Sequence, residues 1–339
     1  MDELTLLDRL LNSLSLKPVD RIPALSVTQT GTLELMEASG AYWPEAHRNA
    51  EKMARLAIAA HRVAGLEAVR VPFGIYAEAE ALGCRVDYHE DRRDFTPTVA
   101  SSHPEPEKVE PVDPKEAPTA TIIEATKILK REVGGDVPLI AGVTGPFTLT
   151  GYIIGMDRTM MALMKEPEIV KRVLDVAWRF LADYAGTLRD AGADVICLVE
   201  PVASTIGPKF FKEFNLEYLR RIVERLRHPT VLHVCGNSLP ILELIVESGV
   251  NGISIDQKVD VGKAKERVKG RACIIGNIDP VGILVEGSPE TVEAECKSVI
   301  EKGVDILAPG CGLSPYTPTA NLKAMVEAAK KYGRKSAPG

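Results

Sequence analysis

The sequence has few cysteines, few aromatic residues and no excess of positive charge. Its 339 residues include six cysteines, and aromatic side chains make up 5% of the chain. Disulfide-stabilised domains are short and rich in cysteine, so that class is excluded and a reducing compartment is expected. Lysine and arginine number 41 against 47 aspartates and glutamates. We therefore expect no nucleic-acid partner, because the chain has no overall positive field for a phosphate backbone.

Long hydrophobic runs and a basic leader are also missing. No segment approaches the roughly 18 apolar residues that a membrane-spanning helix needs. The first residues, 1–5, are acidic where a signal peptide is basic. The 27 glycines and 23 prolines are too few for a disordered chain, and hydrophobic residues make up 45%. These features predict a packed cytoplasmic protein with no membrane partner.

Short β-branched segments alternate with longer helical patterns along most of the chain. Helices are predicted near residues 115–133, 158–190, 208–227, 238–248, 260–269, 288–302 and 319–332. Repeated βα units imply a parallel sheet, and eight units match a (β/α)8 TIM barrel better than a doubly wound sheet. The eight predicted strands are Ala68–Val71, Arg85–Tyr88, Pro138–Val143, Asp194–Val199, Thr230–Val234, Gly252–Ile255, Ala272–Ile275 and Asp305–Leu307.

The first 64 residues contain no predicted strand. Leucines at helical spacing predict an amphipathic helix that ends before Pro18, and residues 44–64 predict another helix. We expect residues 1–64 to form an N-terminal helical extension packed on the barrel, and residues 65–335 to form the barrel, as a single domain overall. The proline-rich, charged stretch 90–120 predicts a long insertion, which we interpret as a solvated loop rather than a lid.

Metal-binding residue types cluster where the predicted strands end, which is the active face of a TIM barrel. His233 and Cys235 lie two residues apart on one strand, so their side chains leave on the same side. Cys311, between two glycines, ends another strand. Imidazole and two thiolates are zinc ligands, and three protein ligands with an open fourth position are typical of catalytic sites. The sequence therefore predicts a zinc site at these three residues, although buried free cysteines are the alternative.

The remaining cysteines and histidines lack ligand spacing. Cys84, Cys197, Cys273 and Cys296 are predicted to be core or surface residues. Surface roles are predicted for the five other histidines, which are His47, His61, His89, His103 and His228.

Several segments, two of which contain the zinc motif, carry a family pattern. They are 27–31, 36–47, 65–72, 145–146, 230–237, 307–312 and 317–321. In these segments the chain resembles the methylcobamide:coenzyme M methyltransferases, a branch of the uroporphyrinogen decarboxylase superfamily. The resemblance covers nearly the whole chain and implies a TIM barrel with zinc at His233, Cys235 and Cys311. It also implies that a zinc-activated thiol, coenzyme M, takes the methyl group from a methyl-Co(III) corrinoid carried by a partner protein.

Four further residues at strand ends are predicted to belong to the site. Glu200 stands where we expect many relatives to carry aspartate, and three roles are open: fourth zinc ligand, orientation of His233, or satisfaction of the loop backbone. Asp256 is predicted as catalytic and Asn277 as cofactor-binding, with loop bracing as the alternative for both. Arg70 is predicted to bind the sulfonate of coenzyme M, with a salt bridge to a barrel carboxylate as the alternative.

Three other functions fit parts of the pattern. A related zinc methyltransferase with another thiol or a pterin as acceptor is the nearest, because the zinc motif specifies thiol activation and not the acceptor. Uroporphyrinogen decarboxylase needs no metal, and its arginine-rich N-terminal motif is replaced here by residues 27–31. A non-catalytic accessory protein with a structural zinc is disfavoured by the missing fourth protein ligand. Monomer and homodimer both remain open.

Overall fold

Seven parallel strands form the central sheet of the computed structural model, which describes residues 4–116 and 118–334. Every residue of these strands is buried, as expected for a parallel sheet covered on both faces. Two more strands, β2 (Arg85–Asp87) and β3 (Thr98–Ser101), form a separate antiparallel pair. In spatial order the seven are β1 (Val69–Val71), β4 (Leu139–Thr144), β5 (Val195–Val199), β6 (Thr230–Val234), β7 (Gly252–Ile255), β8 (Cys273–Ile278) and β9 (Ile306–Pro309).

Helices follow the strands along the chain, and this alternation around a curled parallel sheet confirms the predicted TIM-barrel class. None of the helices in the described ranges is long and apolar enough to span a bilayer. The helices are α1 (Leu6–Leu14), α2 (Leu33–Ser39), α3 (Ala50–Arg62), α4 (Ala77–Ala81), α5 (Thr119–Val133), α6 (Pro146–Ile154), α7 (Met156–Lys165), α8 (Pro167–Asp190), α9 (Gly207–Phe211), α10 (Glu217–Leu226), α11 (Leu242–Glu247), α12 (Val261–Val268), α13 (Pro289–Glu301) and α14 (Thr319–Tyr332).

An extended N-terminal segment joins the two edges of the seven-stranded sheet. On β9, Leu307 donates its backbone N–H to the carbonyl of Pro23, and its own carbonyl accepts from the N–H of Leu25. On the other side, the carbonyl of Ala24 accepts the N–H of Glu67, two residues before β1. Residues 23–25 therefore occupy the place of an eighth strand. The predicted end of the barrel at residue 335 lies outside the described residues.

Helix α1 closes the end of the barrel opposite the carboxyl ends of the strands. Thr5 caps it by accepting the N–H of Asp8. Leu10 and Leu14 are buried in the cluster of side chains that fills the barrel. Leu14 packs on Gly252 at the start of β7, where a Cβ would lie 2.8 Å from its Cδ2. The glycine leaves room for the leucine.

The predicted barrel strand Arg85–Tyr88 was wrong. Residues Arg85–Asp87 form β2, which pairs with β3 outside the barrel. Both charged residues of β2 are exposed while Val86 is half-buried. A strand inside a parallel sheet is buried on both faces, whereas this alternation of charged and apolar residues fits a half-exposed antiparallel pair. The charge pattern in the sequence already contradicted the barrel assignment.

The predicted surface position of His47 was also wrong, because its side chain is 2% exposed. The ring lies among those of Trp43, Phe73 and Tyr76, with centroid distances of 5.1, 6.1 and 5.6 Å. Burial, with a smaller effect from the neighbouring Arg48, lowers the pKa of His47 to about 3. The imidazole is therefore neutral at physiological pH.

Candidate functional site

The three predicted zinc ligands meet at the carboxyl ends of β6 and β9. His233 lies on β6, Cys235 follows that strand, and Cys311 follows β9. The Sγ atom of Cys235 is 3.3 Å from Nε2 of His233 and 3.5 Å from Sγ of Cys311. All three donor atoms lie within 4.8 Å of one another. Two sulfurs bound to one tetrahedral zinc at about 2.3 Å lie about 3.8 Å apart, so this donor set fits the ion.

The two sulfurs of this set lie within hydrogen-bonding distance of each other. The hydrogen bond between Cys235 and Cys311 lowers the pKa of Cys311 and raises the pKa of Cys235. His233 lowers the pKa of Cys311 further through its own hydrogen bond and charge. These contacts favour loss of the proton at Cys311 over loss at Cys235. Binding of zinc to both sulfurs would release the second proton.

Ser254 orients the ring of His233, and sequence reasoning missed it. Its Oγ is 3.0 Å from Nδ1 of His233, and both side chains are buried. The two residues are register partners on neighbouring strands β6 and β7. A partner at Nδ1 fixes the ring so that Nε2 faces the two sulfurs. The sequence shows only that the next predicted strand contains a serine, and the register that brings it opposite His233 comes from the structure.

We expect the Ser254→Ala variant to bind zinc about 10- to 100-fold more weakly, because loss of an outer partner lets a metal-binding histidine reorient. Chelator competition measures this affinity. Ser254→Thr keeps a hydroxyl and should restore most of the affinity. Ser13→Ala is the matched control, since Ser13 is buried in α1 and its Oγ has no hydrogen-bond partner among the described residues. Equal zinc affinity in the two alanine variants would contradict this role of Ser254.

Glu200 lies fully buried just beyond β5 and caps α6. Its carboxylate accepts the backbone N–H groups of Phe147 and Thr148 at 2.8 and 3.0 Å, and the hydroxyl of Thr148 at 2.6 Å. Burial raises its pKa to about 7, against the lowering effect of these hydrogen bonds. Of the three roles considered, these contacts correspond to satisfaction of the loop backbone. The group of metal-binding side chains contains His233 and the two cysteines without Glu200.

Asp256 and Asn277 brace the loop that carries Cys235. Asp256 accepts the N–H of Gly236, the residue after Cys235, at 2.9 Å and the N–H of Lys258 at 2.9 Å. The side-chain amide of Asn277 donates to the carbonyl of Asp256 at 3.0 Å. The structure brings both residues to the rim of the site. Their contacts correspond to the bracing alternative.

Arg70 is a buried cation in the wall of the site. The residue is 2% exposed, and its Nη1 donates to the carbonyl of Pro72. Its Nε is buried without a hydrogen-bond partner, and no carboxylate in the described ranges forms an ion pair with it. Burial lowers the pKa of Arg70 to about 10, so the guanidinium remains charged at neutral pH. The salt-bridge alternative is therefore not observed.

A cavity of about 490 Å³ joins the metal-binding donors to Arg70. The stretch 90–120, interpreted as a solvated loop, contributes residues 96–99 to its wall. Gln29 also lines it and ties the N-terminal segment to the loop after Cys311, because its amide donates to the carbonyl of Leu313 at 2.5 Å. Sequence reasoning missed this contact. The lining residues are Thr28, Gln29, Arg70, Phe73, Gly74, Ile75, Thr96, Pro97, Thr98, Val99, Tyr152, Val199, Pro201, His233, Cys235, Cys311 and Gly312.

Comparison with known proteins places the chain in a family. A family model described as uroporphyrinogen decarboxylase (URO-D) matches residues 5–332. The methylcobamide:CoM methyltransferase MtbA of Methanosarcina acetivorans is 44% identical, and the match covers 98% of this chain and 99% of the relative. MtaA of Methanosarcina barkeri, also named a methylcobamide:CoM methyltransferase, is 39% identical with the same two coverages of 98% and 99%.

A solved structure described as a methyltransferase from Methanosarcina mazei has the same fold. It matches with a TM-score of 0.94 and 38% identity, over 97% of this chain and 99% of that one. The fold, the sequence matches and the family model agree over nearly the full length. The chain therefore belongs to the methylcobamide:coenzyme M methyltransferases of the uroporphyrinogen decarboxylase superfamily and is a methyltransferase.

Proposed function

We propose that this protein moves a methyl group from a methylated corrinoid protein to the thiol of coenzyme M in a zinc-dependent reaction. One observation carries the proposal: a single cavity holds a His-Cys-Cys donor set and a buried arginine for which the described residues supply no carboxylate partner. The donor set suits activation of a thiol, and the arginine suits an acceptor with a negative charge. The names of the relatives MtbA and MtaA, which specify a methylcobamide and coenzyme M, support the same reaction.

His233, Cys235 and Cys311 are the residues that would hold zinc. Bound zinc supplies a Lewis acid that keeps the acceptor thiol ionised near neutral pH, where a free thiol of pKa about 8.5 is mostly protonated. Two thiolates and a neutral imidazole balance the two charges of the ion. Because these protein ligands neutralise the charge of the ion, less electron density would be withdrawn from the acceptor sulfur.

The transfer itself is a displacement at the methyl carbon. The acceptor sulfur forms a bond to this carbon while the carbon–cobalt bond breaks. Both electrons of the broken bond stay on cobalt, which changes from Co(III) to Co(I), and the thiol proton leaves when the thiolate forms. The apolar side chains Phe73, Ile75 and Val99 line the cavity. They exclude water from the attacking sulfur.

Arg70 binds the sulfonate end of coenzyme M in this proposal. A guanidinium forms charge-assisted hydrogen bonds to the oxygens of an oxyanion, and these are stronger in a site shielded from water. Without an anion, a buried guanidinium with an unpaired Nε has lost water contacts that nothing replaces. An anionic acceptor supplies the missing partner. The thiol and sulfonate ends of the acceptor then take opposite ends of the same cavity.

The corrinoid reaches the site from outside. A cavity of about 490 Å³ is in the size range for small ligands. It admits the acceptor, while a corrin ring with its side chains has to present its methyl group at the mouth. This agrees with a corrinoid that stays on its partner protein. We propose that Glu200, Asp256 and Asn277 assist by holding the loops of the mouth in place.

The direct test is anaerobic incubation of the zinc-loaded protein with methylcobalamin and coenzyme M. We expect the spectrum of cob(I)alamin to appear together with the methyl thioether, and only while zinc is bound. Homocysteine and a reduced pterin are tested in parallel as acceptors. Transfer to one of these and none to coenzyme M would assign the protein to the nearest alternative. Absence of any transfer at full zinc content would refute the proposed reaction.

A further inference from the structure

Two glycines of the segment that ends β4 and begins α6 each face a buried ionisable side chain. A Cβ atom on Gly142 would lie 2.1 Å from Nη2 and 2.7 Å from Cζ of Arg70. A Cβ atom on Gly145 would lie 2.2 Å from Cγ of Glu200. Neither glycine has the positive φ that glycine alone adopts readily. The lack of a side chain is therefore required by the space that the neighbouring side chain occupies and not by the backbone conformation.

Gly142 leaves space for Arg70 inside the sheet. It lies on β4, next to β1, which carries Arg70, and pairs in register with Cys197 on β5. All of these residues are buried, so the guanidinium has little room to move elsewhere. A methyl group at residue 142 would occupy the place of one guanidinium nitrogen. The Arg70 guanidinium can therefore occupy this position in the cavity wall only because residue 142 has no side chain.

The buried carboxylate of Glu78 does not form an ion pair that would neutralise Arg70 within the described residues. Glu78 is buried, and its charge raises the pKa of Arg70. Its carboxylate, however, accepts the N–H and the hydroxyl of Thr144 at 2.8 and 2.9 Å. It forms no ion pair with Arg70 in the described part of the chain. The guanidinium thus keeps an unpaired Nε beside a cavity. Among the described residues that line the cavity there is no carboxylate to compete with an entering anion for Arg70.

We propose that Gly142 determines the specificity of the site for an anionic acceptor. Because residue 142 has no side chain, the Arg70 guanidinium can lie where it selects a thiol that carries a negative charge over a neutral thiol of the same length. This inference rests on the proposed function. It adds a residue that touches neither substrate nor metal and acts through Arg70.

The test compares two thiols that differ only at the far end. Coenzyme M carries a sulfonate where 2-mercaptoethanol carries a hydroxyl. With free methylcobalamin as donor and equal zinc content, we expect Gly142→Ala to lower the ratio of kcat/KM for coenzyme M over 2-mercaptoethanol by about 10- to 100-fold, the range for a lost charge-assisted hydrogen bond. The loss should appear mainly in KM for coenzyme M. Values for 2-mercaptoethanol should stay within about threefold, since a neutral thiol gains nothing from the guanidinium.

Two further variants separate this role from a general effect of the substitution. Gly186→Ala is the matched control, because a Cβ at this position in α8 meets no atom within 4 Å, and its kinetics should equal those of the wild type. Arg70→Ala should lose the discrimination between the two thiols. Adding Gly142→Ala to this variant should change nothing more, because the guanidinium that the new methyl group would displace is already absent. If Gly142→Ala alone does not fold, the double variant still tests the idea. A double variant that fails to fold, or that loses more than Arg70→Ala, would overturn it.

The experimental result that would overturn this inference differs from the result that would refute the proposed function. The wild type could transfer the methyl group to coenzyme M and prefer it over 2-mercaptoethanol, and the Gly142→Ala variant could show the same preference. This result would overturn only the role of Gly142. A wild type with no transfer to coenzyme M would refute the proposed function. Calorimetric titration of the zinc-loaded proteins with coenzyme M then still measures the effect at residue 142. Equal affinity in both proteins would remove the inference as well.

Discussion

Replacement of Cys311 by serine is expected to abolish zinc binding and methyl transfer together while the barrel stays folded. A serine hydroxyl does not ionise at neutral pH and is a poor zinc ligand, so the donor set shrinks from three residues to two. Loss of an outer partner of a ligand already weakens metal sites by 10- to 100-fold. Loss of a ligand itself should lower the zinc affinity by more than about 100-fold. Metal analysis after gel filtration, the coenzyme M assay and circular dichroism measure the three properties.

Cys296→Ser is the matched control for this experiment. Cys296 is buried in α13 and is not part of the metal-binding group. We expect its serine variant to keep one zinc per chain and full activity, although the buried hydroxyl costs some stability. Activity of Cys311→Ser without bound zinc would refute the zinc-dependent reaction. Unfolding of Cys311→Ser, with Cys296→Ser intact, would instead make the zinc a part of the fold.

Replacement of Glu67 by glutamine is expected to lower the free energy of unfolding by about 3–5 kcal/mol, the range for breaking a buried ion pair. The Glu67 carboxylate lies 2.5 and 2.9 Å from the two terminal nitrogens of Arg21 and accepts the N–H of Ala24 at 2.9 Å. Both charged side chains are at most 5% exposed. The change removes the carboxylate from a buried guanidinium and weakens the anchoring of the segment that joins β9 to β1. Urea unfolding followed by circular dichroism measures the loss.

An exposed arginine–glutamate pair provides the comparison. Arg62 and Glu132 approach to 3.9 Å with side chains that are 60% and 54% exposed. Glu132→Gln should change the stability by no more than about 0.5 kcal/mol, because exposed pairs are screened by water. A similar small change for Glu67→Gln would mean that the buried pair does not hold the N-terminal segment in place.

The convergence of the three candidate zinc ligands and the barrel class were predictable because both depend on local patterns. Strand and helix periodicity marks the ends of strands, and parallel strands place those ends on one face. His233, Cys235 and Cys311 were therefore identified together although 76 residues separate the two cysteines. The same argument placed Arg70 at this face, and its unpaired state follows from the structure alone.

The partners of buried polar groups were not predictable in the same way. Which residue faces His233 depends on the register between β6 and β7, and which backbone groups surround Glu200 depends on the packing of α6 against β5. Neither is encoded in local periodicity. The eighth strand position was missed for a related reason. Residues 23–25 form too short a segment to show alternation, and they pair with a strand at the other end of the chain.

The amide of Gln29 and the carbonyl of Leu313 lie 284 residues apart in the chain, and this separation imposes an order on synthesis. His233 and Cys235 leave the ribosome well before Cys311. Until β9 has emerged, the N-terminal segment and the apolar edge of the growing sheet have no partner. Such nascent chains expose the surfaces that chaperones bind. A chain that ends before residue 309 would therefore have an open sheet edge and an incomplete donor set, so the same C-terminal strand completes both the fold and the site.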